Sequence, residues 1–224
     1  MIITIDGPSG TGKSTIAKLL AKKLLISFFD TGALYRALAW WVAHEKISWD
    51  HAIPSLDSFT FSLKEEGENK EYFVAGINVT QEIRTKEITE MASKIAAIKE
   101  VRAALLPIQK EYASKGSFVF EGRDLGTVVF PNAEIKIFLT ARPEVRAERR
   151  YKEILEKDPT SKIKLQDVLE SSEKRDAQDI NREIAPLKCP EGAFVLDSSD
   201  LTILQVVEIL HQYILTKKKA CKAG

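Results

Sequence analysis

The sequence predicts an α/β fold whose mostly parallel sheet is covered by helices on both faces. Short β-branched runs alternate with stretches of helical spacing, which is the pattern of repeated strand–helix–strand units. A glycine-rich loop joins the first predicted strand to the first predicted helix. The 224 residues are 44% apolar, which is enough to bury the core of one domain with insertions.

The first elements are short and closely spaced. Apolar residues recur at helical spacing behind the loop, at Ile16, Leu20 and Leu24, and predict an amphipathic helix. Strands are predicted at 2–6 and 27–29, and helices at 13–25 and 33–43. In the second helix, Trp40 and Trp41 are more typical of a core than of a functional site.

Residues 59–80 change character, because apolar and polar residues alternate there around a turn signal at 66–69. We expect a small antiparallel β insert in place of another strand–helix–strand unit. Two helices are predicted next, at 86–97 and 99–115. Pro107 is expected to kink the second of these helices or to split it, since proline removes a helical hydrogen bond and crowds the preceding turn.

Strand and helix signals alternate again in the remainder of the chain. Strands are predicted at 118–121, 134–141 and 193–197, and helices at 143–156 and 165–182, with a polar loop at 157–164. Pro143 stands at a first helical position, where proline is tolerated. Thr202 and Gln205 have the spacing of a capping box at the start of a final amphipathic helix.

Composition narrows the classes of protein to consider. The net charge is +1, so no overall field favours nucleic acid or an anionic membrane as a partner. Cys189 and Cys221 are isolated in the sequence, which indicates neither a zinc site nor a disulfide framework. The chain has no signal-peptide pattern and no run of about 18 apolar residues. We therefore expect a cytoplasmic protein that binds neither nucleic acid nor membranes. A monomer is also expected.

The loop after the first strand fits the complete phosphate-binding pattern G-x-x-x-x-G-K-S. Its glycines allow backbone N–H groups to surround phosphate oxygens, and the following helix adds the partial positive charge of its N-terminus. Lys13 would reach the β- and γ-phosphates, and the Ser14 hydroxyl would help to hold Mg²⁺. The predicted ATP-binding residues are Gly7, Pro8, Ser9, Gly10, Thr11, Gly12, Lys13, Ser14 and Thr15.

Binding of a nucleoside triphosphate does not by itself define a reaction. A GTPase switch would need an Asn/Thr-Lys-x-Asp motif, and the nearest match, at 85–88, lacks the aspartate. A small kinase needs a second site, and the stretch from Asp30 to Arg36 follows a strand at the edge where α/β sheets place ligands. An alternative interpretation is that Thr31 only caps a helix and that Arg36 is a solvated surface residue.

Five stretches together resemble the bacterial cytidylate kinase family, over nearly the whole chain. They are DGPSGTGKST, DTGALYR, EIRTKEIT, EGRDLGTVVFP and KRDAQDINREIAPL. The resemblance implies a P-loop NTPase fold with a five-stranded parallel sheet flanked by helices. It further implies a single kinase domain over 1–224, with a core at 1–35, 116–149 and 185–224. A monophosphate-binding region would span 36–115, with its β insert at about 59–80, and a short lid would lie at about 150–165.

The same resemblance assigns substrate contacts to residues of this sequence. It implies that Arg36, Arg123 and Arg182 bind the acceptor phosphate, with Thr31 nearby. It implies that Ser93, Arg102 and Asp124 face the cytosine ring, and that Arg175 and Asp179 meet the ribose. Arg175, Asp179 and Arg182 share one helical face, although a salt-bridged surface helix would show the same spacing. Glu121 departs from the family pattern, which usually has aspartate at this position.

The implied reaction transfers the γ-phosphoryl group of ATP, with Mg²⁺, to cytidine monophosphate or its deoxy form. The attacking phosphate oxygen is already anionic, so catalysis needs positioning and charge neutralisation and no general base. We expect Lys13, Arg123, Arg182 and Arg146 to act here. Arg146 is one of four candidates with Arg142, Arg149 and Arg150. Three of these, Arg142, Arg146 and Arg149, repeat at helical spacing, so we expect at least one of them to point inward. A kinase for another small acceptor, or a nucleotide-dependent switch protein, stays an alternative.

Overall fold

The computed structural model describes residues 1–66 and 69–223, so residues 67 and 68 of the predicted turn at 66–69 lie outside the described residues. The chain divides into two compact units. The first unit comprises Met1–Phe29 and Gly116–Gly224, and the second comprises Asp30–Lys115.

The elements alternate between strands and helices in most of the chain. The strands are β1 (Ile2–Asp6), β2 (Ser27–Asp30), β3 (Phe61–Glu66), β4 (Asn69–Val74), β5 (Ile77–Asn78), β6 (Phe118–Glu121), β7 (Ile135–Thr140) and β8 (Phe194–Asp197). The helices are α1 (Lys13–Leu24), α2 (Thr31–His44), α3 (Trp49–Ala52), α4 (Lys86–Ile95), α5 (Lys99–Ser114), α6 (Pro143–Lys157), α7 (Leu165–Asn181) and α8 (Ile203–Ala223).

The predicted five-stranded parallel sheet is confirmed, with the order β2-β6-β1-β7-β8. β1 lies at its centre, and Ile3 and Ile5 are fully buried there. The apolar stripes of α1 and α8 pack on the same cluster, which includes Ile16 and Leu210. All four residues of β6 are buried, as is typical of an inner strand of a parallel sheet.

The second unit contains the predicted antiparallel insert, a three-stranded sheet with the order β3-β4-β5. Its main helix is α2, in which Leu34 and Leu38 are fully buried. Trp41 is also buried and lies against Phe59, with 5.9 Å between the ring centroids. Trp40 is half-buried and stacks on His44. Trp41 is thus a core residue, as the sequence predicts.

Two local expectations have different outcomes. α5 runs from Lys99 to Ser114 without a break, so the expectation that Pro107 splits it is wrong. The helix persists because Pro107 is exposed, while Val101 and Leu105 anchor the opposite side in the core. The capping box of α8 is confirmed, since the Thr202 N–H donates to Gln205 Oε1 (2.9 Å) and the Gln205 N–H donates to Thr202 Oγ1 (3.3 Å).

The structure also contains a feature that the sequence did not predict. A π-helical turn at Leu125–Val129 follows β6 directly, and its Leu125 and Gly126 are buried. A Cβ on Gly126 would lie 2.7 Å from Pro190 Cγ, so this turn is closely packed. Within residues 1–66 and 69–223, no helix has both the length and the apolar character needed to cross a membrane.

Replacing Pro107 with alanine should stabilise the protein. The change restores one helical hydrogen bond at an exposed position. We expect the free energy of unfolding to rise by about 1–2 kcal/mol, because the interior-proline penalty of about 3 kcal/mol is partly offset by a freer unfolded chain. Urea denaturation measures the difference. The control is Pro143→Ala at the first position of α6, where we expect no gain; equal effects of the two changes would contradict the explanation.

Candidate active site

The glycines of the phosphate-binding loop are required by their close contacts. Gly7 has φ of 147°, and a Cβ on it would lie only 2.0 Å from the Leu139 carbonyl oxygen of β7. Gly10 has φ of 76°, and its Cβ would lie 2.9 Å from the Arg146 carbonyl oxygen. The loop therefore runs directly against β7 and α6, in conformations that a larger residue adopts only with strain.

Lys13, the lysine of the phosphate-binding loop, is buried, with 5% of its surface exposed. Its Nζ donates to the Pro8 carbonyl oxygen (2.5 Å) and lies 3.4 Å from Thr11 Oγ1. Burial, followed by the positive charge of Arg123, holds the pKa of Lys13 well below its ordinary value of 10.5. A phosphate group beside Lys13 would offset both effects, so the ammonium form is favoured when an anion binds.

Ser14 and Glu121 connect the start of α1 to the end of β6. The Ser14 hydroxyl donates to Glu121 Oε1 at 2.6 Å, and the Glu121 carboxylate is buried. Among the described residues, no group of three or more acidic, histidine or cysteine side chains could hold a metal ion. A hydroxyl and one carboxylate are nevertheless oxygen ligands of the kind that Mg²⁺ uses together with substrate phosphates and water.

Two arginine–aspartate pairs, largely removed from solvent, lie where β6 and α7 end. Arg123 Nε lies 3.1 Å from Asp179 Oδ2, and Arg182 Nη2 lies 3.0 Å from Asp124 Oδ1. Arg182 also approaches Asp179 at 3.6 Å and donates through Nε to the Ala185 carbonyl oxygen at 2.6 Å. We call these four residues the quartet. The structure thus brings together four of the residues to which the sequence assigns substrate contacts, and Asp179 is buried, unlike a residue of a surface helix.

Arg146 points inward from α6, whereas its neighbours make other contacts. It has 6% of its surface exposed, and its Nη1 donates to the Ser9 carbonyl oxygen at 2.9 Å and contacts Asp176. Arg142 pairs with Asp200 at the surface, Arg149 donates to Ser198, and Arg150 pairs with Glu153. Of the four candidates, Arg146 therefore has the geometry expected of a residue that acts beside the loop.

In the second unit, Asp30 organises the start of α2. Its carboxylate accepts from the Ala33 N–H at 3.0 Å and pairs with Arg36 at 2.9 Å. Asp30 is therefore the N-cap, so the alternative that Thr31 only caps the helix is wrong, and Arg36 is not a solvated surface residue. Thr31 is buried in the first turn.

Ser93 and Arg102 lie on α4 and α5 of the same unit. The Ser93 hydroxyl is buried and has no hydrogen-bond partner among the described residues. Arg102 donates to the Ala96 carbonyl oxygen at 3.1 Å and lies over the Tyr35 ring, 5.7 Å from its centroid. A buried hydroxyl with no partner is available to a polar ligand.

In the first unit, Arg175 is half-buried on α7, and its positive charge contributes to the lowered pKa of Lys13. Thr15 is exposed in the first turn of α1.

Asp6 and Asp176 are site residues that sequence reasoning missed. Asp6 is fully buried, and its carboxylate accepts from the backbone N–H groups of Leu125 (2.9 Å) and Gly126 (2.8 Å). Burial raises the pKa of Asp6 to about 6, although these two hydrogen bonds act in the opposite direction. The one feature of the sequence that could have indicated a role for Asp6 is its position as an acidic residue at the end of a β-branched strand. Asp6 holds the turn that directly follows Asp124.

Comparison with known proteins points to one family. Residues 3–216 match the family described as cytidylate kinase. The cytidylate kinase of Protochlamydia amoebophila (strain UWE25) is 50% identical over 218 residues, which cover 95% of this chain and 96% of that protein. The cytidylate kinase of Chlamydia caviae is 46% identical over 213 residues, which cover 93% of this chain and 95% of that protein.

Solved structures support the fold. A gluconokinase from Sinorhizobium meliloti 1021 matches with a TM-score of 0.50 over 99% of this chain and 97% of that one. The sequence identity between the two is 15%, so this likeness concerns the fold alone.

Asp6→Asn should change how stability depends on pH. The pKa of Asp6 is about 6 in the folded chain and 3.8 without burial, so the folded state binds this proton more tightly. As the pH falls from 7 to 4, the free energy of unfolding of the unmodified protein should therefore rise relative to the variant, by up to roughly 3 kcal/mol. Urea titrations of both proteins at several pH values measure their free energies of unfolding. The difference between the two proteins at each pH cancels the contribution of the other carboxylates, which both share. A difference in the free energy of unfolding that does not change with pH would refute the raised pKa of Asp6.

Proposed function

The chain belongs to the cytidylate kinase family, and on that basis we propose that it transfers the γ-phosphoryl group of ATP to cytidine monophosphate. The products are ADP and the cytidine diphosphate, and the deoxy monophosphate is a second acceptor. The protein is thus an ATP-dependent phosphotransferase whose acceptor is itself a phosphate group.

The observation that carries this proposal is the quartet in the same unit as the phosphate-binding loop. A phosphate-binding loop alone serves any nucleoside triphosphatase. Arg182, which is buried, and Arg123, which is half-buried, supply further cations that suit the phosphate of a second nucleotide. Their partners Asp124 and Asp179 hold both guanidinium groups in fixed orientations before a substrate arrives, which lowers the cost of ordering them.

The reaction needs positioning and charge neutralisation. The attacking oxygen belongs to a phosphate that is anionic at neutral pH, so no group has to remove a proton from it. Lys13 binds the phosphates of the donor, and Arg146 lies beside the loop, where it stabilises charge on the transferring group. Arg123 and Arg182 align the acceptor phosphate for in-line attack. Because these groups lie in a poorly solvated site, their electrostatic effect on the transition state exceeds that in water.

Mg²⁺ accompanies the donor triphosphate in this proposal. Ser14 would hold it, with Glu121 beside Ser14 as a further oxygen donor. When bound, the ion would neutralise charge on the β- and γ-phosphates. Mg²⁺ prefers sites with one or two protein oxygens plus phosphates and water, which agrees with the small donor set around Ser14.

The remaining assignments are those implied by the sequence. Arg36 and Thr31 act on the acceptor phosphate, Ser93 and Arg102 on the cytosine ring with Asp124, and Arg175 and Asp179 on the ribose. The unpartnered Ser93 hydroxyl supports its assignment to a polar ligand. The single kinase domain with its stated regions, the lid at about 150–165, the monomeric state and the cytoplasmic location stay predictions.

A panel of acceptors tests the proposal directly. With ATP and Mg²⁺, we expect cytidine and deoxycytidine monophosphates to be phosphorylated faster than uridine, adenosine and guanosine monophosphates, as measured by coupled ADP release. Lys13→Ala should reduce turnover by at least about a hundredfold, since an electrostatic contact with the transferring group is lost. ATP hydrolysis without dependence on any acceptor would indicate a switch protein, and wild-type turnover in folded Lys13→Ala would exclude the proposed donor site.

Asp124→Asn should narrow the preference for cytidine over uridine monophosphate. A carboxylate only accepts hydrogen bonds, which suits the N4 amino group of cytosine and repels O4 of uracil, whereas asparagine can donate to O4. One base-edge contact is worth about 1–3 kcal/mol, so the ratio of kcat/KM values should fall roughly ten- to a hundredfold.

The control for this change is Asp179→Asn, which alters the other carboxylate of the quartet. Asp124 also holds Arg182, so part of its effect is on the position of that arginine. A positional effect lowers the activity with both pyrimidines in proportion, as we expect for Asp179→Asn. If Asp124→Asn behaves in the same way, with an unchanged ratio, Asp124 does not recognise the base.

A further inference from the structure

A closed set of three hydrogen bonds surrounds Ser9 in the phosphate-binding loop. The Ser9 N–H donates to Asp176 Oδ1 at 2.9 Å, and Arg146 Nη1 donates to the Ser9 carbonyl oxygen at 2.9 Å. Arg146 also donates to Asp176 Oδ2. We call Ser9, Arg146 and Asp176 the Ser9 clamp. It joins the loop, α6 and α7, although Asp176 lies 167 residues from Ser9 in the sequence.

The clamp is unsuited to a role in stability alone. The side chains of Arg146 and Asp176 are 7% and 9% exposed. Bringing such a pair out of water costs about as much as the attraction returns, so apolar residues of similar size would stabilise the fold as well. What the charged pair supplies is a fixed orientation, because each partner has directional hydrogen bonds to the other and to the Ser9 backbone.

The surroundings of Asp176 connect it to the donor site. Its negative charge favours the ammonium form of Lys13, against the opposing effects of Arg123 and Arg175. Arg146 is held further by a hydrogen bond from Nε to the Ala141 carbonyl oxygen at 3.0 Å. Without Asp176, the Ser9 N–H would lose its acceptor, and Arg146 Nη1 would keep only the Ser9 carbonyl oxygen. Arg146 would then be held beside the loop by neutral carbonyl oxygens alone, which fix its orientation less strongly than a charged partner does.

We propose that Asp176 is a positioning residue of the phosphoryl-transfer reaction, which acts by holding Arg146 and the Ser9 backbone in place for the donor triphosphate. The inference rests on the proposed kinase function. Asp176 affects the transferring group only through Arg146 and the loop. Its loss should therefore lower kcat and weaken ATP binding, while the KM for the acceptor changes little.

The first test is Asp176→Asn, which keeps the shape of the side chain and an acceptor for the Ser9 N–H but removes the charge. We expect kcat to fall on the order of ten- to a hundredfold, the range expected for a misplaced catalytic group. The control is Asp200→Asn, which removes the surface partner of Arg142, the arginine directly before α6, and should leave kcat unchanged. A lower melting temperature of Asp176→Asn with unchanged kcat and KM values would contradict the proposal, because Asp176 would then contribute to stability alone.

The second test asks whether Asp176 acts through Arg146. In an Arg146→Ala background, adding Asp176→Asn should lower kcat by less than about threefold, because residues that act as a unit are not additive. An equal fall in both backgrounds would overturn the proposal. If the asparagine variant does not fold, Asp176→Ser, which leaves room for a water at Arg146, is measured against the same outcomes.

Calorimetric titration with ATP distinguishes two outcomes, namely that the positioning role of Asp176 is wrong and that the proposed kinase function is wrong. If the unmodified protein phosphorylates no monophosphate, the kinase proposal fails, but Asp176→Asn should still weaken ATP binding on the order of tenfold through the lost charge-assisted contacts. Asp200→Asn should bind ATP as the unmodified protein does. Equal ATP affinity of Asp176→Asn and the unmodified protein would refute the positioning role.

Discussion

The pairing of buried charges is the constraint on which the candidate site depends. Lys13, Arg146 and the quartet all lie largely out of water. An unpaired buried charge costs several kcal/mol, so each cation needs an anion or a carbonyl oxygen within hydrogen-bond distance. The turn after β6 supplies Asp124, and α7 supplies Asp176 and Asp179, which stand three residues apart on one face of that helix. The positions of these two elements therefore determine where the cations point.

This arrangement prepares the site for anions. Carboxylates that hold the arginines in place also reduce the repulsion among neighbouring cations. The pKa of Lys13 is lowered first by burial and then by the positive charge of Arg123. A phosphate group that enters the site supplies negative charge that neutralises these cations. Binding energy and catalytic positioning thus come from the same charges, which is suited to a reaction whose transition state spreads negative charge over phosphoryl oxygens.

Local patterns explain what could be predicted before the structure was known. The phosphate-binding loop, α1 and the capping box of α8 depend on residues close together in the sequence, and each was predicted correctly. Pro107 was expected to kink or split α5; the split is wrong, because α5 continues past Pro107 while Val101 and Leu105 anchor the buried side of the helix. Asp6 went unnoticed because its partners, Leu125 and Gly126, lie 119 and 120 residues away.

The sequence by itself determined the α/β class, the phosphate-binding loop and the family, since these rest on local spacing and on motifs. The resemblance to that family also implied which arginines bind the acceptor phosphate. Only the tertiary structure decided that Arg146 turns inward, that Arg123 pairs with Asp179 and Arg182 with Asp124, and that Asp176 closes on Ser9. The physical reason is that a charge pair forms between residues that the fold brings within about 3–4 Å, and helical spacing indicates only a shared face, not the partner across from it.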